Sequence, residues 1–531
     1  MSIAGNAQRF ADAVVFDLGR QLRWSFLPPL MVYFAAGCSG LTLIVGTFFV
    51  KEYLDFSAAY IAGLAFWAGL PWALKMPLGH LVDLIWRWKW LLVWLGAGCV
   101  ALSVFIMYLV LTETAMMEAI MPVASWYILS FILAPSGLVL QDAVADAMSV
   151  EAVPLVDKSG QPIPEEQIKN AHVTMQALGR FALISGTVAV ALLNISYFAG
   201  IDGMNQEAKS LVYAKVYATA LLIPVISISG VVLAGLMRRI GSAPEMPEPD
   251  EAVEVNWWYF IGGGAFVALS LIVGLGQVPF GQEIIFVGSM IIVGLLIRQL
   301  VTRLAPAQAN ALIGTAIIIF FFRAIPGPGD GQKWFEIDVL GFDQQFQSVL
   351  QLITAVVTLA VIVLMRPMIA NRSIVWIVVV LSLLAGLLSL PNIGLYYGVQ
   401  DWTSEVTNGV VDARFIAIFD TALESPLGQV AMIPMLAWIA RNAPRDLKAT
   451  FFAVMASFTN LALSASTLGT KYLNEIYLVT REVRSPDSGA VTTFADYSEL
   501  GFLLVTVTFL LVIVPLSVVV LVQSSKLRSF D

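Results

Sequence analysis

Trp126-Tyr-Ile-Leu-Ser-Phe-Ile-Leu-Ala-Pro-Ser-Gly-Leu-Val-Leu-Gln141-Asp-Ala-Val-Ala-Asp-Ala-Met-Ser-Val-Glu151 is a long apolar run that closes on three acids. A run of this length reads as one membrane helix. Asp142 and Asp146 are four residues apart, so on that helix they stand one turn above the other on a shared face. A carboxylate at membrane depth costs roughly 2.5–3.5 kcal/mol on insertion scales, so both acids must face protein or a water-filled cavity. The stretch therefore predicts an all-α polytopic transporter whose acidic helix belongs to the substrate, proton or gating machinery.

Composition agrees with a chain built for lipid. Hydrophobic residues are 59% of the sequence and charged residues 12%, the balance of an integral membrane protein. The absence of a Lys/Arg-rich patch argues against nucleic-acid binding. Cys38 and Cys99 are the only cysteines; both lie in apolar spans without partners at metal spacing, so neither a disulfide framework nor a metal site is expected. His80 and His172 are isolated. No catalytic triad or nucleotide motif is present, and the chain is read as a non-enzyme without a cofactor, driven by a gradient across the bilayer.

Apolar runs fall near 27–50, 57–79, 90–112, 120–148, 173–198 and 211–237, then near 256–276, 283–303, 306–323, 344–367, 373–392, 411–440, 447–469 and 499–522. They predict about fourteen transmembrane helices. Residues 1–26 read either as an amphipathic helix on the cytoplasmic surface or as a solvated tail. The Pro- and Glu-rich stretch 238–255 reads as a linker. Residues 27–237 and 304–522 form two six-helix halves, 256–303 two inserted helices, and 523–531 a short tail. Roughly twice as many of the Lys and Arg residues fall on the side of the N-terminus as on the other, which predicts both termini in the cytoplasm. Leu54-Asp-Phe-Ser-Ala-Ala-Tyr60 and Leu340-Gly-Phe-Asp-Gln-Gln-Phe346 each follow a Phe-Phe pair upstream and open a helix of the same predicted direction. Such an internal repeat suits two parallel halves of the major facilitator kind.

The second span ends Leu70-Pro-Trp-Ala-Leu-Lys-Met-Pro-Leu-Gly-His-Leu-Val-Asp83, followed by Arg87 and Lys89. This resembles the Gly-x-x-x-Asp loop of the major facilitator superfamily, and in its longer form the folate–biopterin transporter family. Asp142, Asp146 and Glu151 match the acids of that family's fourth helix. Pro444-Arg-Asp-Leu-Lys-Ala-Thr-Phe-Phe-Ala-Val-Met-Ala-Ser-Phe-Thr-Asn460 is similar to its penultimate helix, where Asn460 belongs to the helix-packing motif. The chain departs from the pattern at Lys448, where the family usually has Glu, in the extra polar stretch Val153–Ala171, and in its two additional helices. The resemblance implies a secondary transporter of folate or a pterin, in the bacterial inner membrane.

Candidate residues follow from depth and spacing. Counting 1.5 Å per residue from Trp126 puts Asp142 about 24 Å down, in the cytoplasmic third of the bilayer. Burial and a like-charged neighbour make it the first candidate for proton coupling. Asp146 and Glu151 lie lower and are expected to pair across the inner mouth, with Arg445 and Lys448 as partners; Glu151 alone reads equally as solvated. Lys75 either meets a carboxylate of substrate or helix, or snorkels to the headgroups. Asp83, with Arg87 beside it, is expected to gate by meeting the N-terminus of the penultimate helix. Arg180 is placed to reach Asp142 or Asp146, either functionally or as a static ion pair. Asp420 and Glu424 repeat the spacing of the acidic helix in the other half, and Arg414 is the cation offered to an anionic solute. The Gly- and Pro-dense stretch Ala324–Lys333 reads as turns and not a phosphate cradle.

The function expected is proton-coupled movement of a small organic anion across the bilayer by alternating access. Two rivals share the sequence features: a muropeptide-type permease of the same fold, and a non-transporting factor that assembles pigment or membrane complexes.

Overall fold

The computed structural model describes residues 23–54, 56–73, 75–85, 88–154, 161–240, 257–275, 278–301, 305–369, 373–424, 448–484 and 491–528. In chain order the helices begin with α1 (Leu27–Cys38), α2 (Leu43–Tyr53), α3 (Ala58–Ala73), α4 (Lys75–Leu84), α5 (Trp90–Thr112) and α6 (Thr114–Glu118). Then come α7 (Val123–Glu151), α8 (Glu165–Tyr197), α9 (Gln206–Ala220) and α10 (Leu222–Arg239). The next set is α11 (Trp257–Leu275), α12 (Gly281–Val301), α13 (Pro306–Arg323), α14 (Asp330–Asp338) and α15 (Gln344–Ile369). The last are α16 (Ile374–Leu388), α17 (Leu390–Tyr396), α18 (Val399–Val406), α19 (Ala413–Glu424), α20 (Lys448–Ile476) and α21 (Leu500–Gln523). A small antiparallel ribbon, β1 (Val483–Arg484) with β2 (Val491–Thr493), precedes α21.

Among the described residues nine helical stretches are long and apolar enough to cross a membrane, and they coincide with the first, third to sixth, ninth to eleventh and last expected spans. Shorter apolar helices mark the second, seventh and eighth. The second is described in two pieces, α3 and α4, with Pro71 near the end of one and Pro77 near the start of the other; each ring removes a backbone donor. The twelfth is described only as far as Glu424. The fifth helix starts earlier than its apolar run suggests, at Glu165, because the polar residues before it continue the same helix.

The chain divides into two compact units. The first comprises Met1–Val45, Leu78–Asn256 and Leu359–Leu364. Its core places Tyr33 and Val32 of α1 against Ala145 of α7 and Met175 and Leu178 of α8. A second cluster joins Val82, Val93, Ala143, Val144 and Met148. Apolar helices in lipid gain little by hiding from water, so close backbone approach has to supply the packing. Glycine provides it. A Cβ at Gly96 of α5 would collide with the Gly137 carbonyl of α7, and one at Gly137 with the Gly96 carbonyl. The same reciprocal collision relates Gly37 of α1 to the α8 backbone around Gly186.

The second unit comprises Gly46–Pro77, Trp257–Thr358 and Met365–Asp531. It holds α3, which packs along α20: Phe66 and Leu70 share a cluster with Leu468, Phe266, Val273 and Ile285. The last three of those partners lie on α11 and α12, so the additional hairpin seats on the same helix pair. A larger cluster joins Leu312, Ile318 and Ile319 of α13 with Val378, Phe458, Leu461 and Val519.

Gly96→Ala should lower the stability of the detergent-purified protein by about 1–3 kcal/mol through overpacking. Gly98→Ala meets open space and should leave it near the parent value. Thermal denaturation of the two variants side by side checks this, and equal melting temperatures would contradict the crossing.

Candidate functional site

In the first unit the acidic face of α7 is met from α1. The Tyr33 hydroxyl donates to Asp146 Oδ1 at 2.8 Å, and Tyr33 is itself buried. Its ring also lies against Gly179 of α8, where a Cβ would come within 3.0 Å of it. Asp142 lies one turn away on α7 and is half-buried. Asp146 thus has a polar partner from α1, as its cost in lipid requires.

Arg180 does not complete this arrangement. Its side chain is exposed and makes no hydrogen bond or ion pair among the described residues. Neighbouring residues on a helix point about 100° apart; because Gly179 faces Tyr33, Arg180 turns away from α1. The pairing with Asp142 or Asp146 expected from the sequence is therefore absent, and a tyrosine takes the place foreseen for the arginine.

Glu151 closes α7 with two cations. Lys89 Nζ contacts its Oε1, and Arg238 Nη2 reaches Oε2 at 3.1 Å. Lys89 precedes α5 and Arg238 lies in the last turn of α10, so one carboxylate ties three helix ends together. Lys89 is only 3% exposed; an ammonium so enclosed depends on its counterion. Sequence reasoning assigned neither base to Glu151. Arg87 and Arg445 lie outside the described residues. Lys75 and Asp83 fall in α4, Glu424 in α19 and Lys448 in α20, with their side chains outside the description.

The second unit carries its own polar chain. Asp420 on α19 is 4% exposed and accepts from Asn392 Nδ2 at 2.7 Å. Gln332 Nε2 donates to Asn392 Oδ1 at 3.3 Å and to Glu336 Oε1 at 2.9 Å. Asp420, Asn392, Gln332 and Glu336 thus form a continuous hydrogen-bonded line across α19, α17 and α14. Burial raises the Glu336 carboxyl above the usual carboxylate range, opposed by the Gln332 donor and the nearby Lys333 charge. Neither Asn392, the direct partner of Asp420, nor Gln332 and Glu336 beyond it was singled out from the sequence. Asn392 closes the eleventh expected span and Gln332 sits in the stretch read as turns, whereas Asp330–Asp338 is a helix whose entry is the positive φ of 74° at Gly329.

Arg414 is engaged at the edge of the unit. Its guanidinium donates to Asp343 Oδ2 at 3.1 Å and to the Gly341 carbonyl at 3.2 Å, and stacks 5.1 Å over the Phe346 ring. Asp343 Oδ1 meanwhile accepts from the Phe346 amide at 2.6 Å, capping α15. The partner is thus a residue of the internal repeat, not an acid of its own helix. Asn460 donates to the Trp72 carbonyl at 3.3 Å, joining α20 to α3. Among the described residues no cluster of His, Cys, Asp and Glu has the arrangement to hold a metal ion.

Glu151→Gln should destabilise the protein by about 3–5 kcal/mol, since it strands the enclosed Lys89 charge. Adding Lys89→Met should recover much of that loss. Denaturant unfolding of both singles and the double gives the coupling energy; purely additive effects would show that the pair does not act as one.

Comparison with known proteins agrees with these features. Residues 171–529 match the BT1 family. A folate-biopterin transporter of Synechocystis is 21% identical over 457 residues, covering 84% of this chain and 74% of that protein. Among solved structures, a POT family transporter in complex with 5-aminolevulinic acid superposes with a TM-score of 0.62 at 15% identity, over 95% of this chain and 96% of that one. A peptide transporter POT bound to alafosfalin gives 0.61 at 14% identity, over 98% of each chain. The nucleoside transporter NupG gives 0.55 at 11% identity, over 93% and 98%. The architecture is that of major facilitator-type transporters, and the chain belongs to the BT1 family of folate–biopterin transporters.

Proposed function

We propose that this membrane transporter is a proton-coupled secondary carrier of a small organic anion of the folate or pterin class, working by alternating access. The observation that carries the proposal is the acidic face of α7, where two carboxylates stand one turn apart and the Tyr33 hydroxyl of α1 donates to Asp146. Asp142, a turn away, is the proton-carrying residue of this reading. Asp420 serves in the second half, with Glu424 one turn on. Lys75 and the exposed Arg180 are cations offered to an anionic solute, and Arg414 serves as one on leaving Asp343.

In the same reading the chain makes fourteen spans, as two six-helix halves of residues 27–237 and 304–522 with the hairpin 256–303 inserted. Both termini lie in the cytoplasm of a bacterial cell, with the protein in the inner membrane. Asp83, Arg87, Asp146, Glu151, Arg445 and Lys448 belong to the cytoplasmic gate. The cyanobacterial relative's name supplies the solute class. The neighbour bound to 5-aminolevulinic acid shows that a fold of this kind accommodates a small carboxylic acid.

Proteoliposomes with an acid exterior should take up labelled folate or pterin faster than those without a pH difference. Asp142→Asn should remove the acid stimulation while leaving exchange of solute across equal pH intact. Uptake that ignores pH in the parent protein, or no uptake of any pterin, sinks this reading.

A further inference from the structure

The turn between α2 and α3 is held by residues far along the chain, Arg481 lying 430 positions from Lys51. Arg481, 2% exposed, donates from both terminal nitrogens to the carbonyls of Lys51 and Leu54. Those carbonyls lie at the C-terminal end of α2, where the last turn has acceptors without helical partners and a partial negative charge. A guanidinium is the group best matched to both, and this one also lies 5.1 Å over the ring of the buried Trp334. Lys51, in the last turn of α2, forms an ion pair of 2.5 Å with Asp338.

Asp338 ends α14, the electrostatically wrong end for an acid. It is kept there by Lys51 and by the Tyr497 hydroxyl, which donates to its other oxygen at 2.5 Å. Burial, then the hydrogen bond to Asp338 and after it the Asp338 charge, raises the Tyr497 phenol above its usual range, so it remains a donor. The α2–α3 turn is therefore gripped by α14 and by the segment before β1, while the segment before α21 supports Asp338 from its other oxygen. All of these are polar contacts at helix ends, and they differ in kind from the apolar seam of Phe66, Leu70 and Leu468 further along α3. Groups of this type can exchange protein partners for water when they part, which an apolar seam cannot do at similar cost.

We propose that Arg481, Trp334, Lys51, Asp338 and Tyr497 form a latch that holds one face of the transporter shut and is released once per cycle. In the orientation proposed above, with the N-terminus in the cytoplasm, the α2–α3 turn belongs to the outer face. The latch rests on the alternating-access reading above.

The test is a distance measurement by double electron–electron resonance in nanodiscs, on full-length protein with Cys38→Ala and Cys99→Ala. Spin labels go on Tyr60→Cys and Val339→Cys, both exposed positions. The parent should show a dominant short distance. Lys51→Asp and Arg481→Gln should each raise the ratio of long to short distances about tenfold or more, and Lys51→Asp/Asp338→Lys should return it toward the parent. The charge-swapped protein guards against misfolding, since it has to recover both the distance and the melting temperature. Unshifted distributions in both single variants, beside a long distance that acid or alkaline buffer draws out in the parent, overturn the latch and leave alternating access standing. One unchanging distance in every sample overturns both.

Discussion

A carboxylate inside an apolar helix must find a polar partner in protein before lipid closes round it, and the packing of the first unit follows from that demand. Tyr33 can reach Asp146 only if α1 lies close to α7, and α1 lies close because Cα-only residues line its crossing with α8. The Gly96–Gly137 contact brings α5 against the same helix. Lys89, at the start of α5, is then carried to Glu151 at the end of α7. The polar partners and the glycines are one arrangement: without the crossings the acids have no donors, and without the donors the acidic helix has no tolerable place in the bilayer.

The second unit solves the same problem differently. Asp420 is met by amide side chains, which can donate and accept at once and so pass a hydrogen-bonded line from Asn392 to Gln332 and Glu336. Such a line tolerates a change of charge at either end by reorienting amides. A fixed ion pair, as at Glu151, does not. The contrast lies in the chemistry of the partner: amides that can turn beside Asp420, cations beside Glu151.

Much of this was legible in the chain. The apolar runs and the i, i+4 acids rest on local periodicity, and every long apolar helix of the structure falls on a run read from the sequence. Partners were not legible where they depend on which face a residue presents. Arg180 looked close to the acids by helix order, but the residue facing α1 is Gly179, one position away. Arg414 was compared with acids on its own helix and in fact meets Asp343, a residue whose carboxylate also caps α15. Arg481 and Glu336 carried no signal at all, since they lie in polar connections whose partners are distant in sequence. The start of the short helix α14 was likewise read as turns, because Gly and Pro crowd its approach and it is too short to show a clear period.

The inserted hairpin gains a physical role from the same accounting. Gln282, at the start of α12, donates to the Gly63 carbonyl of α3 at 3.0 Å, and a Cβ at Gly63 would come as close to that amide. One residue on, Glu283 meets Lys471 of α20 at 3.3 Å and accepts from the Tyr472 hydroxyl. Two adjacent side chains thus bond to two different helices, α3 and α20, whose own seam includes Asn460 and Trp72. A brace fixed to one helix would ride along with it. A brace fixed to both is strained by any sliding between them, so α12 adds stiffness to the helix pair on which the α2–α3 turn is mounted. The polar residues at the start of α12 are thus committed to that pair.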